Sequence, residues 1–180
     1  VLRAEPNRRM LISMFELLYE AEPHGFFVAR DEYGVVGYLV ASESLSRIWY
    51  TAFAGGHLWR WFINWLRGRY ALGCRTMITL CFDKYCVIYS SLRNKERTRH
   101  RILALDVKPE DRNQGVATNL MRCALDRFWR MGAKAVRLEV RPNNATAIRL
   151  FEKLGFAVRS TMRDTRGEWW VMVKEVAEHH

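Results

Sequence analysis

Apolar residues recur along this chain at spacings that predict a mixed set of helices and strands. Met10, Leu11, Met14, Leu17 and Leu18 fall on one helical face, leaving Arg8, Arg9, Ser13 and Glu16 largely outside, and Asn7 is placed to cap that helix. Pro23-His24-Gly25 breaks the pattern. Phe26 to Arg30 and Val35 to Ala41 then read as two strands joined by Asp31-Glu32-Tyr33-Gly34, a tight hairpin with Gly at its end. Further on, Ile102 to Val107 predicts a strand, Gly115 to Arg130 a helix, Ala135 to Arg141 a strand ending at Pro142, and Asn144 to Leu154 a helix stopped by Gly155. Phe156 to Thr161 and Trp169 to Glu175 complete the pattern as strands around the turn Asp164-Thr165-Arg166-Gly167.

Between the first hairpin and the strand at Ile102 lies a segment of different character. His57 to Tyr70 carries Arg60, Asn64 and Arg67 on one stripe while Leu58, Trp59, Trp61, Phe62, Ile63, Trp65 and Leu66 cover nearly everything else, which predicts a helix buried on several sides or laid on an apolar surface. Cys74, Met77, Ile78, Cys81, Tyr85, Ile88 and Leu92 predict a second helix, so that a helical insertion at about 44–99 hinges near Gly68 to Gly73. Packing on the domain or on a second copy of it, as in a homodimer, is the first reading of this pair. A wall of an acceptor pocket is the second and a membrane-surface anchor the third. Arg93, Lys95, Arg97, Arg99 and Arg101 alternate with other residues and read first as a solvated face, second as contacts to an anion.

The totals narrow the field. A chain of 180 residues, 49% apolar and 27% charged, fits one globular domain. Its 29 basic against 19 acidic residues give a formal charge of +10 and favour a polyanionic partner, whether phosphorylated cofactor, nucleic acid, acidic acceptor or membrane face. Cys74, Cys81, Cys86 and Cys123 lack metal-ligand spacing and read as reduced thiols of a cytoplasmic protein, with no metal expected. No signal peptide opens the chain, and no uninterrupted apolar run of about 18 residues occurs. The first residue is Val rather than Met, which suggests a trimmed start, and Glu178-His179-His180 reads as a tag remnant outside a single domain over 1–176.

The chemistry is concentrated in Arg112-Asn113-Gln114-Gly115-Val116-Ala117-Thr118, between the strand ending at Val107 and the amphipathic run from Leu120. A polar loop with one Gly between strand and helix can present backbone N–H groups to an anion. No Gly-Lys-Ser/Thr follows it and the three-glycine dinucleotide spacing is missing, which excludes a P-loop and a Rossmann fingerprint.

Two crossovers stand side by side, and there the sequence resembles the GCN5-related N-acetyltransferase (GNAT) family. Leu105-Asp106-Val107-Lys108-Pro109-Glu110-Asp111-Arg112-Asn113-Gln114-Gly115-Val116-Ala117 resembles that family's acyl-CoA pyrophosphate motif, and Asn144 through Phe151-Glu152-Lys153-Leu154-Gly155-Phe156 resembles its second motif. The resemblance implies an α/β (α+β) fold: a mixed, mostly antiparallel sheet with one splayed parallel strand pair, flanked by helices. Acetyl-CoA is then the acyl donor. Gly115 and Ala117 let a pyrophosphate approach the N–H groups of Asn113, Gln114, Val116 and Thr118, with Arg112 and Arg122 nearby. The family likeness places the splay after Val107, main-chain groups of Leu105 and Val107 beside the pantetheine, the Val107 N–H near the acyl oxygen, and Asn144, Ala147 and Phe151 along the cofactor.

The implied reaction moves acetyl from acetyl-CoA directly to an amine of a small molecule or protein. Glu139 matches the base of members that act on protein N-termini; paired with Arg137, Arg141 or another sheet cation it would be structural instead. Asp106 is the second carboxylate at that level of the sheet. Phe151 stands where many members carry Tyr, so no phenol is supplied there to protonate the thiolate. Tyr50, Tyr85, Tyr89 and Cys123 are further candidates, Cys123 being expected in the helix core. The alternatives to an enzyme are a non-catalytic acyl-CoA-binding domain and, behind it, a basic interaction protein for RNA or membranes.

Overall fold

The computed structural model describes residues 5–69, 98–165 and 167–175, with side chains from residue 8 onward. The first helix, α1, spans Glu5–Ala21. Asn7 therefore lies inside it rather than at its cap; Pro6 is tolerated there because first-turn N–H groups have no intrahelical acceptor. A short turn of 3-10 helix at Pro23–Gly25 leads into β1 (Phe26–Asp31) and β2 (Gly34–Ser42). Their turn is held by the Tyr33 N–H bonding Asp31 Oδ1 at 2.8 Å.

Two helices follow, α2 (Leu45–Ala54) and α3 (His57–Leu66). Only the second was predicted, and it ends four residues early, with Arg67 at its C-cap and Gly68 left-handed. The buried Glu22 side chain organises the start of α2: its Oε1 accepts from Ser42 Oγ, Glu43 N and Ser44 N. The predicted helix from Cys74 to Leu92 lies outside the described residues, as do Arg93, Lys95 and Arg97 of the five alternating cations, whereas Arg99 is exposed as expected of a solvated face. The fifth, Arg101, is buried rather than solvated, because it is already part of a strand.

That strand is β3 (His100–Val107), followed by α4 (Val116–Arg130), β4 (Ala135–Val140), α5 (Ala145–Lys153), β5 (Ala157–Asp164) and β6 (Gly167–Glu175). The six strands form one sheet in the order β1-β2-β3-β4-β6-β5. All neighbours are antiparallel except β3 and β4. This is the mixed sheet with one parallel pair that the resemblance implied.

Strand alternation divides the residues between two faces. Leu39, Ile102, Val136, Leu138, Val140 and Met172 join Met121, Ala124, Leu125 and Phe128 of α4 and Ile148 and Phe151 of α5 in one core. On the other face Phe15 of α1 makes edge contacts with Phe26 and Tyr38. The helix α3 is tied to α1 by His57 Nε2, 2.7 Å from Glu20 Oε2, and by Trp61 Nε1, which donates to Ser13 Oγ at 2.7 Å.

Candidate functional site: a left-handed loop beside a split in the sheet

The chain leaves β3, makes one turn of 3-10 helix at Pro109–Asp111, and enters α4 through a loop with two left-handed residues, Asn113 (φ 61°) and Gly115 (φ 81°). Gly115 is the N-cap of α4, and a Cβ there would meet nothing within 4 Å, so the backbone angle rather than crowding calls for glycine. The space over Gly115 is open to an incoming group. No side chain caps α4 and its first turn holds no acid, so the N–H groups of Val116, Ala117 and Thr118 carry the positive end of a 15-residue helix. Left-handed residues within such a turn aim N–H groups into a common concavity that suits an anion. Arg112 and Arg122 are exposed nearby in the chain, and Gln114 Nε2 ties the loop to the Glu110 carbonyl at 3.3 Å.

Beside this loop the sheet is split. Among the described residues β3 and β4 pair only over His100–Arg101–Ile102 with Val136–Arg137–Leu138. The separation therefore begins just after Ile102, five residues earlier than the expected point at Val107. The Lys108 N–H bonds the Val36 carbonyl on β2 at 2.9 Å, so strand alternation turns the main-chain groups of Val107 and Leu105 the other way, into the split. Both groups of Val107 have side-chain partners: its N–H donates to Asp106 Oδ1 at 2.9 Å and its carbonyl accepts from Arg112 Nε at 3.1 Å. Asp106 and Arg112 lie 3.9 Å apart and are both more than half exposed.

Glu139 sits one residue beyond the last parallel pair, on the face away from α4 and α5. Its Oε1 accepts from Arg137 Nε at 2.7 Å and Arg101 Nη1 at 3.3 Å. The arginine side chains are 2% and 9% exposed and the carboxylate 23%. The guanidinium of Arg101 is held below its ordinary range by burial first and by the Arg137 charge second, with Glu139 opposing both. Pairing with Arg137 was foreseen; the second cation was not, because only the parallel register sets Arg101 beside Arg137. Arg141 instead joins Asp164 at 3.7 Å and lies over the Trp169 ring at 3.7 Å.

Tyr38, which the sequence reading passed over, faces Asp106 across the β2–β3 ladder. Burial, then the Asp106 charge, raises its phenol above the ordinary value, so it keeps its proton through the neutral range. Its signal was present only as the alternation of β2. Tyr50 is 74% exposed on α2, whereas Tyr85 and Tyr89 lie outside the described residues. Cys123 is exposed rather than in the helix core, since α4 buries Met121, Ala124 and Leu125 instead.

Along α5, Asn144 caps the helix by accepting the Ala147 N–H at Oδ1, 3.2 Å away. Phe151 is buried in the core, 6.1 Å between ring centroids from Phe156, with Ala147 packed against the same cluster. Among the described residues no group of His, Cys, Asp or Glu could hold a metal ion.

Solved structures share this architecture at low identity, which speaks to fold alone. Ard1 from Thermoplasma volcanium is 22% identical, over 91% of this chain and 78% of that one, with a TM-score of 0.58. The polyamine N-acetyltransferase of Drosophila melanogaster is 18% identical, over 89% and 79%, with a TM-score of 0.59. The yncA protein from Salmonella typhimurium, solved with its cofactor acetyl-CoA, is 17% identical, over 96% and 75%, at 0.54. No curated protein matches the chain. The acetyltransferase (GNAT) family model matches residues 3–156, most of the sequence, and this chain belongs to the GNAT acetyltransferase family.

Proposed function

We propose that the protein transfers an acetyl group from acetyl-CoA directly to a primary amine, the acceptor approaching from the face that carries Glu139. The observation that supports this most is the adjacency of an anion-suited loop, at Asn113 to Thr118, and main-chain groups of Leu105 and Val107 turned into a split between parallel strands. The loop suits a pyrophosphate. The split suits an extended amide-bearing arm that hydrogen-bonds like an added strand, and Asn144, Ala147 and Phe151 would flank it.

In this reading the acetyl oxygen takes the Val107 N–H, which stabilises the charge that develops on attack. Asp106 must first release that N–H. The Asp106 carboxylate is more than half exposed, so water replaces the hydrogen bond it gives up while the N–H gains the acetyl oxygen as its acceptor. The amine nitrogen bonds the acetyl carbon, the carbon–sulfur bond breaks, and the electron pair leaves with the CoA sulfur. The acceptor ammonium must lose a proton before attack. Both guanidinium bonds to Glu139 fall on Oε1, and among the described residues Oε2 accepts nothing, so Oε2 is the oxygen offered to that proton. Tyr38, protonated at neutral pH, is the phenol on the same side of the sheet as Asp106 and the donor available to the thiolate; Phe151 cannot act so.

The test is calorimetric titration with acetyl-CoA followed by release of free CoA thiol against a panel of polyamines, amino acids and peptides. Acetyl-CoA binding with amine-dependent thiol release is the expected result. Binding without release for any amine points to a non-catalytic acyl-CoA-binding domain. No binding removes the proposal.

A further inference from the structure

We propose that the helix pair α2–α3 is a docking surface for a bilayer rich in anionic phospholipid. The helix α3 is apolar on two opposite sides. One side, with His57 and Trp61, is turned to α1, where Trp61 meets Ser13 and His57 meets Glu20. The opposite side carries Trp59, Phe62 and Leu66, at 65%, 43% and 63% exposure, at spacings of three and four residues. Trp59 and Phe62 lie 5.8 Å apart between centroids, so they form one continuous surface. Tyr50 and Phe53 on α2, at 74% and 72% exposure, extend the aromatic content of the pair. Four aromatics so exposed present on the order of 500 Å² to solvent, large for a patch with no partner among the described residues.

The charge decides the occupant. Residues 45–69 contain Arg47, Arg60, Arg67 and Arg69 and no Asp or Glu. Arg60 and Arg67 lie about 100° round the helix from the stripe, at its border, where arginines of an interfacial helix reach headgroup phosphates. Beyond them a polar cleft of about 340 Å³ between α1 and α3 is lined by Arg9, Ser13, Glu16, Arg60, Asn64 and Arg69, three cations to one acid. A second copy of this chain is a poor occupant, because a symmetric contact would set Arg60, Arg67 and Arg69 of each copy against those of the other. An anionic bilayer matches both the apolar stripe and its cationic border, and tryptophan and tyrosine rings suit the headgroup level. Among the described residues no helix is long and apolar enough to cross a membrane, so the contact lies along the surface.

The experiment is co-sedimentation of the full chain with vesicles of phosphatidylcholine alone and of phosphatidylcholine mixed with phosphatidylglycerol. Binding to the mixed vesicles only is expected. Replacing Trp59, Phe62 and Leu66 together by Ser should weaken it on the order of a hundredfold. Arg67→Gln with Arg69→Gln should weaken it roughly twenty-fold, and added salt should do the same. Circular dichroism should be unchanged in both variants, since all five side chains are exposed. A measurement that needs no multiple variant is quenching of tryptophan fluorescence by brominated acyl chains, which should diminish in Trp59→Phe. Equal binding to neutral and mixed vesicles, no binding to either, or undiminished binding by the triple variant would overturn the proposal. So would a wild-type dimer in sedimentation equilibrium that the triple variant converts to monomer and that vesicles leave intact.

Discussion

Replacing Glu139 by Gln keeps the size of the side chain and removes one negative charge from between two buried guanidiniums. The wild-type carboxylate holds Arg137 at 2.7 Å and Arg101 at 3.3 Å through one oxygen. After the change, two neighbouring guanidiniums face a neutral amide, and Arg101 is already held low by burial first and by the Arg137 charge second. Removing one partner of a buried ion pair costs about 3–5 kcal/mol, and the 23% exposure of Glu139 brings the expectation to about 3 kcal/mol. With an m-value of roughly 2 kcal/mol/M, the urea midpoint should fall by about 1.5 M. Adding Arg137→Met should recover at least half of that loss, because it removes one of the repelling charges while filling most of the volume. Acetyl transfer must be assayed where both proteins are fully folded. There, loss of the acidic limb of the kcat/KM profile in Glu139→Gln would mark the base, whereas an unchanged profile at lower stability would mark a structural carboxylate. A stability loss below about 1 kcal/mol would refute the buried three-residue ion cluster itself.

Three further outcomes follow from the same geometry. Gly115→Val places a β-branched residue at φ 81°, costing about 1–2 kcal/mol, and puts bulk where the loop is open; acetyl-CoA affinity by calorimetry should fall at least roughly tenfold while thermal stability drops only a few degrees. Phe151→Tyr adds a hydroxyl to a ring buried against Phe156, so stability should fall by about 1–3 kcal/mol in denaturant titration; an unchanged midpoint would mean that the para position opens on the split. His100 is held below its ordinary value by burial first, opposed by Glu43, with Arg99 adding to the depression, so the folded state binds its proton less readily than the unfolded chain. Its contribution is present above pH 6.5 and lost as pH falls through the depressed folded value, and His100→Phe should flatten that part of the stability–pH curve. A curve with the same slope in the variant would assign the titration elsewhere.

Local chemistry carried much of the fold in the sequence. Helices α4 and α5, the glycine stop of α5 and most strands were legible because turns and amphipathic periods depend on neighbours within a few residues. The helix α2 was missed because Ser44 makes no side-chain cap; the chain entering it is held instead by Glu22, about twenty residues earlier, which accepts the N–H groups of Glu43 and Ser44. For the same reason the alternation of Arg101 with other cations gave no hint of burial, which depends on the strand beside it.

The sequence by itself determined the strand–loop–helix at Gly115 on which the proposed anion site rests, since that glycine and the helix behind it are set by contacts only a few residues apart, and it determined that Phe151 brings no phenol. Only the tertiary structure decided that the sheet divides after Ile102, that Glu139 answers two arginines rather than one, that Tyr38 stands across from Asp106, and that the Trp59 stripe is turned outward. Each of those depends on which strand or helix comes to lie beside which. Pairing of that kind is fixed by burial of the whole core and leaves no trace in the spacing of residues along any one element.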